Sequence, residues 1–393
     1  MDRRTNPYAP GAGTPPPELV GRDLVLEDAE IALDRLRNGL AAKGLLMVGL
    51  RGVGKTVLLN QMLLDADARG CECVLIEVPE NRSLPATLAG PLNSALIRLS
   101  RSAAAARLAR KARRSLAGFV RAMRVSYEDI SFSLDLDGEE GIADSGDLDT
   151  DLTSLLVVAG EAARARSTVL ALFIDELQYV RERQLGALIT ALHRAAQRRL
   201  PVTLIGSGLP QLVGHVGSAK SYAERMFSFP EIGPLSGKAA RRALEAPARR
   251  LGVTYSAEAL DEILRITEGY PYFLQEWGSA CWMLADGPVV TRKDVDAASP
   301  VAIHELDTTF FRVRFERTTP FERRYIRAMA ELGPGPHRSG EVAQALGRKV
   351  QSIAPTRSKL IRKGMIYSPA HGDTAFTVPL FDQYLERVMP EWP

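Results

Sequence analysis

Several features that proteins use for stability or membrane location are scarce in this sequence. Its three cysteines, Cys71, Cys73 and Cys281, are too few and too scattered for a disulfide framework or a four-ligand zinc site. Its five histidines show no metal-ligand spacing. No run reaches the roughly 18 uninterrupted apolar residues that cross a bilayer. These absences exclude a disulfide-stapled domain and a membrane-spanning protein, and we expect Cys71 and Cys73 to pack in a core.

The N-terminus, "MDRRTNPYAPGAGTPPPELVGR", has basic residues but no apolar stretch behind them. It does not resemble a secretory signal, so we expect a cytoplasmic protein without a membrane partner. Residues 1–17 are rich in Pro and Gly and offer little apolar surface. We predict that this segment is flexible.

The 393 residues predict two or three domains, at about 150 residues each. Strand and helix patterns alternate up to about residue 235, and runs such as "VLALFID" are continuously apolar, which is typical of parallel strands covered on both faces. Helical patterns alone fill residues 236–309. Residues 310–393 read as three helices followed by a hairpin, the order of a winged helix. We therefore predict an α/β domain over residues 18–235, a helical lid and a C-terminal winged-helix domain.

The net charge of +3 hides strongly charged blocks. Residues 98–124 contain nine basic residues and no acid, whereas residues 128–151 contain ten acids and no base. The basic run places Arg107, Arg110 or Lys111, and Arg114 on one helical stripe, opposite an apolar face. This stripe either contacts DNA or pairs with the acidic block, and the sequence does not decide between these alternatives.

The segment from Gly49 to Thr56, "GLRGVGKT", fits the phosphate-loop (P-loop, or Walker A) pattern and lies between a predicted strand and a predicted helix. Backbone N–H groups in such a loop converge on an anion, and the helix N-terminus adds its positive dipole end. Lys55 would bridge the β- and γ-phosphates, and Thr56 would hold Mg²⁺. The predicted nucleotide-binding residues of the loop are Gly49, Arg51, Gly52, Val53, Gly54, Lys55, Thr56 and Val57.

A carboxylate pair ends the apolar strand "VLALFID", as a Walker B site requires. Asp175 is the candidate partner of Mg²⁺. Glu176 is placed to orient or deprotonate a water for attack on the γ-phosphate. The alternative is that Asp175 and Glu176 only cap the following helix.

With these motifs the chain resembles the AAA+ class of P-loop ATPases, and within it the origin-recognition-like and archaeal-type ATPases, with some likeness to STAND signalling ATPases. The resemblance implies an ATP-hydrolysing enzyme that uses Mg²⁺ and forms homo-oligomers. It places Val20 and Gly21 of "ELVGRD" against the adenine and Ser207 of "LIGSG" at the sensor-1 position. Arg225 falls where such proteins carry an arginine finger, although it could instead form a surface salt bridge.

The lid departs from the origin-recognition pattern. Those ATPases usually carry a sensor-2 arginine, whereas this segment reads "EGYPYFLQ", Glu268 to Gln275. It is closer to the G-x-P motif of STAND and archaeal-type ATPases, in which Gly269 and Pro271 turn the backbone over the nucleotide.

The C-terminal domain is basic, with 14 Lys or Arg against 9 Asp or Glu in residues 307–393. Its third helix could act as a recognition helix in DNA, or the domain could dock a protein. The candidate DNA-binding residues are Arg348, Lys349, Arg357, Lys359, Arg362 and Lys363. Two functions therefore remain open. The first is an ATPase that assembles on DNA to load, remodel or release a partner, and the second is a nucleotide-gated regulatory or defence switch.

Overall fold

The computed structural model describes residues 1–11, 13–130, 142–370 and 372–391. They form two compact units. Unit 1 contains Met1–Gly21, Leu50–Gly54 and Gly233–Pro393, and unit 2 contains Arg22–Gly49 and Lys55–Ile232. The domain boundaries predicted at 235/236 and 309/310 stay predictions.

A five-stranded parallel sheet forms the centre of unit 2, with strand order β2-β3-β4-β1-β5. Every residue of the third and fourth strands is buried, as their apolar runs predict. Since the strands are parallel, the carboxyl ends of the first, third and fourth lie at the same edge. The strands are β1 (Gly44–Val48), β2 (Glu72–Glu77), β3 (Leu170–Asp175), β4 (Val202–Gly208) and β5 (Phe227–Ser228).

Three helices of unit 2 lie between β2 and β3, where the sequence analysis did not predict the bounds of any helix. These helices, α3 to α5, contribute apolar side chains to the same core as the sheet. The helices are α1 (Asp23–Arg37), α2 (Lys55–Ala68), α3 (Leu84–Ser100), α4 (Ala106–Met123), α5 (Leu148–Ala165), α6 (Glu182–Gln197), α7 (Leu212–Ala219) and α8 (Ala223–Met226).

Helix α4 carries the basic run, and its amphipathic pattern decides which face is buried. The predicted apolar face, with Leu116, Phe119 and Met123, is fully buried. Arg107, Arg110 and Arg114 lie on the exposed face. Much of the acidic block, residues 131–141, lies outside the described residues, so the proposed pairing of the two blocks stays a prediction.

Residues 236–309, where the sequence predicts helices alone, form four helices of unit 1 together with two short strands. A two-stranded parallel sheet joins β6 to β7. The last helix continues through a π-helical segment, Leu306–Phe311, into a short helix. The elements are α9 (Gly237–Arg249), β6 (Thr254–Tyr255), α10 (Ala257–Thr267), α11 (Pro271–Leu284), β7 (Val289–Val290), α12 (Arg292–Glu305) and α13 (Arg312–Glu316).

The N-terminal segment differs from the prediction of a flexible lead-in, because its first residues pack onto these helices. The Tyr8 ring is buried, and its hydroxyl lies 2.6 Å from the Leu244 carbonyl and 2.7 Å from the Tyr255 hydroxyl. The Trp282 indole donates to the Asp2 carbonyl at 2.9 Å. One buried aromatic anchor thus orders a segment whose average composition predicts disorder.

The C-terminal part of unit 1 has the predicted helices and hairpin, with one additional strand and one additional helix. The three strands form an antiparallel sheet of order β8-β10-β9. Within the described residues of both units, no helix is long and apolar enough to span a membrane. The elements are α14 (Pro320–Glu331), β8 (His337–Arg338), α15 (Ser339–Ala345), α16 (Val350–Arg362), β9 (Ile366–Tyr367), β10 (Asp373–Phe376) and α17 (Phe381–Val388).

Candidate nucleotide-binding site

The predicted phosphate loop connects β1 to α2, so the strand–loop–helix order that the motif requires is present. The Gly49 N–H donates to the Gly208 carbonyl at the end of β4, at 3.2 Å. Lys55 is buried, and its Nζ donates to the Gly49 carbonyl at 2.9 Å. Helix α2 begins at Lys55, so the positive end of its dipole lies at the end of the loop.

The Asp175 carboxylate is the centre of the polar network at the edge of the sheet. Thr56 Oγ1 donates to its Oδ2 at 2.6 Å. The Ser207 hydroxyl and the Glu176 N–H both donate to Oδ1, the latter at 2.8 Å. The structure thus brings together the predicted metal residues and the predicted sensor-1 serine. Their oxygens are the type of donor that Mg²⁺ prefers, so the site fits this ion.

Glu176 has a left-handed backbone conformation, with φ 55° and ψ 37°. Non-glycine residues adopt this conformation at a cost, and it is enriched at functional sites. Glu176 makes no side-chain capping bond to the 3-10 turn Leu177–Tyr179 that follows it, which does not support the capping alternative.

Gln178, which the sequence analysis did not single out, binds the Glu176 side chain. Its Nε2 donates to Glu176 Oε2, while its Oε1 accepts the N–H of Leu209 at 3.0 Å. The amide is nearly buried, with 7% of the residue exposed. The only sequence signal for this role was a polar residue in the otherwise apolar "LQYV". Gln178 connects the predicted catalytic glutamate to the segment after β4.

The tip of the P-loop, Leu50–Gly54, clusters with unit 1, where the lid contacts its backbone. Gly52 has φ +81°, and a Cβ at this position would lie 3.1 Å from the Tyr270 ring. The Tyr270 hydroxyl donates to the Arg51 carbonyl, and the Tyr272 N–H donates to the Gly52 carbonyl at 3.3 Å. The loop therefore needs glycine at this position for both its conformation and its packing.

The C-terminal part of unit 1 also contacts the loop tip, through Arg51. The Arg51 N–H donates to the Thr377 carbonyl at 3.2 Å, and its Nε donates to the Gly364 carbonyl at 3.3 Å. Nothing in the Walker A pattern predicts these bonds, because the pattern leaves this position unspecified.

Gly269 sets the backbone conformation of the lid motif. Gly269 has φ +72°, and a Cβ would lie 2.5 Å from the Leu235 carbonyl oxygen, so a side chain is excluded. The Leu235 N–H donates to the Gly269 carbonyl at 2.9 Å, and Pro271 begins α11. Val20 is buried and Gly21 packs near Ala239 in unit 1. The roles of Val20, Gly21 and Pro271 in nucleotide binding stay predictions.

Arg225 lies in the short helix α8, and its side chain is exposed. Across the part of the chain that the structure describes, it makes no ion pair, so the alternative of a surface salt bridge is not observed.

The candidate DNA-binding residues divide into two groups. Arg357 donates to Thr374 Oγ1 and to the Asp373 carbonyl, and Lys363 donates to Glu322 Oε2 at 2.7 Å, so both bind within the domain. The remaining four side chains are exposed and, within the described ranges, have no ion pair. They are Arg348, Lys349, Lys359 and Arg362.

The parallel sheet, the loop after β1 and the carboxylate at the end of β3 define a P-loop ATPase domain of the AAA+ class. Residues 18–205, just under half of the chain, match the family described as the AAA ATPase domain. Residues 308–385 match a domain of unknown function, DUF8462. No match was found among curated proteins.

Solved structures with a similar fold include two archaeal proteins. The Walker-type ATPase paby2304 of Pyrococcus abyssi is 14% identical with a TM-score of 0.58, over 94% of this chain and 96% of that one. The ORC2 protein of Aeropyrum pernix, in ADPNP-ADP complexes, is 14% identical with a TM-score of 0.53, over 99% of each chain. At this identity the similarity establishes the fold alone.

Proposed function

We propose that this protein binds ATP with Mg²⁺ and hydrolyses it. The observation that carries the proposal is the Asp175 carboxylate, which binds both Thr56 of the P-loop helix and Ser207 of β4 and is followed directly by Glu176. A metal-binding aspartate and a candidate base at the end of one buried strand are the two carboxylates that phosphoryl transfer to water requires.

Each residue has a separate chemical role. Lys55 binds the β- and γ-phosphates, while Thr56 and Asp175 hold the metal ion. When bound, Mg²⁺ neutralises the charge that develops on the phosphate oxygens. Glu176 accepts a proton from the attacking water, and Ser207 keeps Asp175 oriented through its hydrogen bond.

The test compares Lys55→Ala and Glu176→Gln with the wild type, using calorimetric titration of ATP and release of phosphate. Lys55→Ala should abolish binding, whereas Glu176→Gln should bind ATP and lose turnover by roughly 10² to 10⁴. Lys43→Ala, which removes an exposed lysine just before β1, is the control and should behave as wild type. A wild-type chain that binds no nucleotide would refute the proposal.

We further propose that the protein acts as a homo-oligomer on DNA, where hydrolysis loads, remodels or releases a partner. The exposed Arg225, without an ion pair in the described chain, supports a role as an arginine finger in a neighbouring subunit. The exposed basic residues on and before α16 support DNA contact.

A second candidate is a nucleotide-gated switch in which the C-terminal domain docks a protein. The bonds from Arg51 to the Thr377 and Gly364 carbonyls favour it, because they connect the loop tip to the C-terminal domain. DNA binding measured with and without ATP, in the wild type and in Glu176→Gln, separates the candidates. Binding that requires ATP supports the first, and absent or ATP-insensitive binding supports the switch.

A further inference from the structure

The helical part of unit 1 has a groove that receives residues 1–9, here called the N-terminal arm. The Tyr8 ring is its anchor, because only 5% of the residue is exposed and its hydroxyl contacts the Leu244 carbonyl of α9 and the Tyr255 hydroxyl of β6. Gly278 of α11 leaves room for this ring, since a Cβ there would lie 2.7 Å from it. Three elements thus form one pocket that fits a tyrosine.

Polar contacts continue along α11 on either side of this pocket. Asn6 Nδ2 donates to Ser279 Oγ at 2.9 Å, and the Trp282 indole donates to the Asp2 carbonyl at 2.9 Å. Ser279 and Trp282 lie three residues apart and therefore on one face of the helix. The groove contacts both side chains and backbone of the arm, and these contacts join residues 236 to 280 positions apart.

The arm is connected to the rest of unit 1 by a linker, residues 10–17, that takes little part in this packing. All described residues of the linker are exposed or half-exposed. Glu18, which follows the linker, is anchored separately, because Arg250 of α9 donates to its carboxylate. The arm and Glu18 are therefore fixed independently, and the docking contacts of the arm do not depend on the path of the linker.

The linker bends sharply on its way to the groove of its own chain. The position of a Cβ on Gly11 lies 2.5 Å from Thr14 Oγ1, and Gly13 has φ 71°, a conformation that favours glycine. Proline-rich linkers are instead extended, at about 3.1 Å per residue, so this linker would reach roughly 25 Å if the bend opened. A short, bent linker beside an independently docked segment is the arrangement that permits exchange of the segment between copies.

We propose that the groove binds the N-terminal arm of a second copy of this chain, so that neighbouring subunits of the homo-oligomer exchange residues 1–9. The inference rests on the proposed oligomerisation. The groove makes the same contacts with either arm, so the linker and the local concentration of the neighbouring groove decide which arm it holds. Exchange opens the bend and leaves every Tyr8 pocket filled.

The experiment uses two full-length copies with different affinity tags, one with Asn6→Cys and the other with Ser279→Cys. They are co-expressed, oxidised and separated without reductant. Because these side chains are in contact, exchange should give a disulfide-linked product that contains both tags. The control adds Tyr8→Ala to the copy with Asn6→Cys, which removes the anchor and should lower this product at least about tenfold. Melting temperatures of all variants show that each is folded.

A second set of variants changes the linker and leaves the groove intact. Gly13→Val disfavours the left-handed conformation of the bend, so the ratio of exchanged to self-docked arms should rise roughly five- to thirtyfold. An insertion of about ten Gly and Ser residues after Thr14 should lower this ratio, because a flexible linker folds back easily. Gly340→Val, at an exposed glycine with no atom within 4 Å of its Cβ position, is the matched control.

The outcomes separate the inference from the function on which it rests. An oligomer that gives no product with both tags, or a product that neither Tyr8→Ala nor the linker variants change, overturns the exchange of arms. A wild type that remains monomeric in light scattering at every concentration refutes the proposed oligomer itself, and the exchange with it.

Discussion

Asp175 in unit 2 and Arg314 in unit 1 are both buried charges, but their surroundings differ. Asp175 accepts hydrogen bonds from Thr56, Ser207 and the Glu176 N–H. Arg314 has one carbonyl and one aromatic ring, with no carboxylate among the described residues. Hydrogen bonds from its own chain hold a charged side chain in place. A buried charge without a counter-charge can instead be stabilised when a ligand binds.

The prediction with the largest expected effect tests whether one chain contains every catalytic group of the site around Asp175, or whether a neighbouring subunit supplies an arginine. Arg225→Ala should lower the ATPase rate by roughly 10³ to 10⁵ under conditions where the wild type is assembled, because a finger stabilises the charge of the transition state. The measurement is the specific rate as a function of protein concentration. Arg194→Ala, on α6, is the control for a surface arginine. A wild-type rate that does not depend on concentration would contradict a role in a neighbouring subunit.

The next effect concerns Glu276, a buried acid of unit 1. Burial raises the pKa of this carboxyl to about 7, with a smaller contribution from Glu305 and an opposing hydrogen bond from Tyr272. In the unfolded chain the group ionises near pH 4.5. The folded state therefore binds more protons between these values, and stability falls as the pH rises from about 4.5 to 7. The total loss is about 3 kcal/mol.

Glu276→Gln should remove this part of the pH dependence, because an amide does not ionise. Urea unfolding of the wild type and the variant at pH 5 and pH 8 provides the measurement. The variant should gain stability over the wild type at pH 8 only, and Glu386→Gln, an exposed site on α17, should show no such gain. An equal difference between wild type and variant at both pH values would contradict the assignment.

A smaller effect tests how Glu176 is positioned. Gln178→Met removes the amide that joins Glu176 to the Leu209 N–H, so kcat should fall roughly ten- to hundredfold, while KM changes by less than about threefold. Gln184→Met is the matched control, because Gln184 is also buried and accepts a backbone N–H, that of Leu84, at 3.1 Å. Both variants should lose similar stability. If kcat falls equally in both, the role of Gln178 is only structural.

The sequence predicted the elements of unit 2 that carry a local pattern. The apolar runs predicted β3 and β4, and the glycines and lysine of the loop predicted the turn from β1 into α2, since hydrophobic period and turn chemistry are encoded by neighbouring residues. The P-loop and Walker B patterns assigned Thr56 and Asp175 to one metal site, and the family resemblance placed Ser207 at the sensor-1 position. The strand, loop and helix that carry these residues were therefore predictable.

Long-range contacts were not predictable in this way. The bond from the Arg51 N–H to the Thr377 carbonyl joins residues more than 300 positions apart, and neither residue carries a pattern for it. The burial of Tyr8 overrides the Pro and Gly composition around it. Strand β8 has only two residues and is too short for a period. The environment of Arg314 likewise depends on tertiary packing, which a reading of local propensity does not include.

The smallest expected effect distinguishes the exposed basic residues of the C-terminal domain from those whose side chains bind within the domain. If the domain binds DNA, Lys359→Ala and Arg362→Ala should each weaken binding a few-fold and lower the salt dependence of log Kd by about one unit, the change expected for one lost phosphate contact. Arg357→Ala should instead destabilise the domain by roughly 1 to 3 kcal/mol, because it removes bonds to Thr374, Ser368 and the Asp373 carbonyl. DNA binding measured at several salt concentrations checks the prediction for Lys359 and Arg362. The melting temperature of each variant checks the prediction for Arg357. An unchanged salt slope in both exposed-site variants would remove α16 as the DNA-binding helix and favour a protein partner.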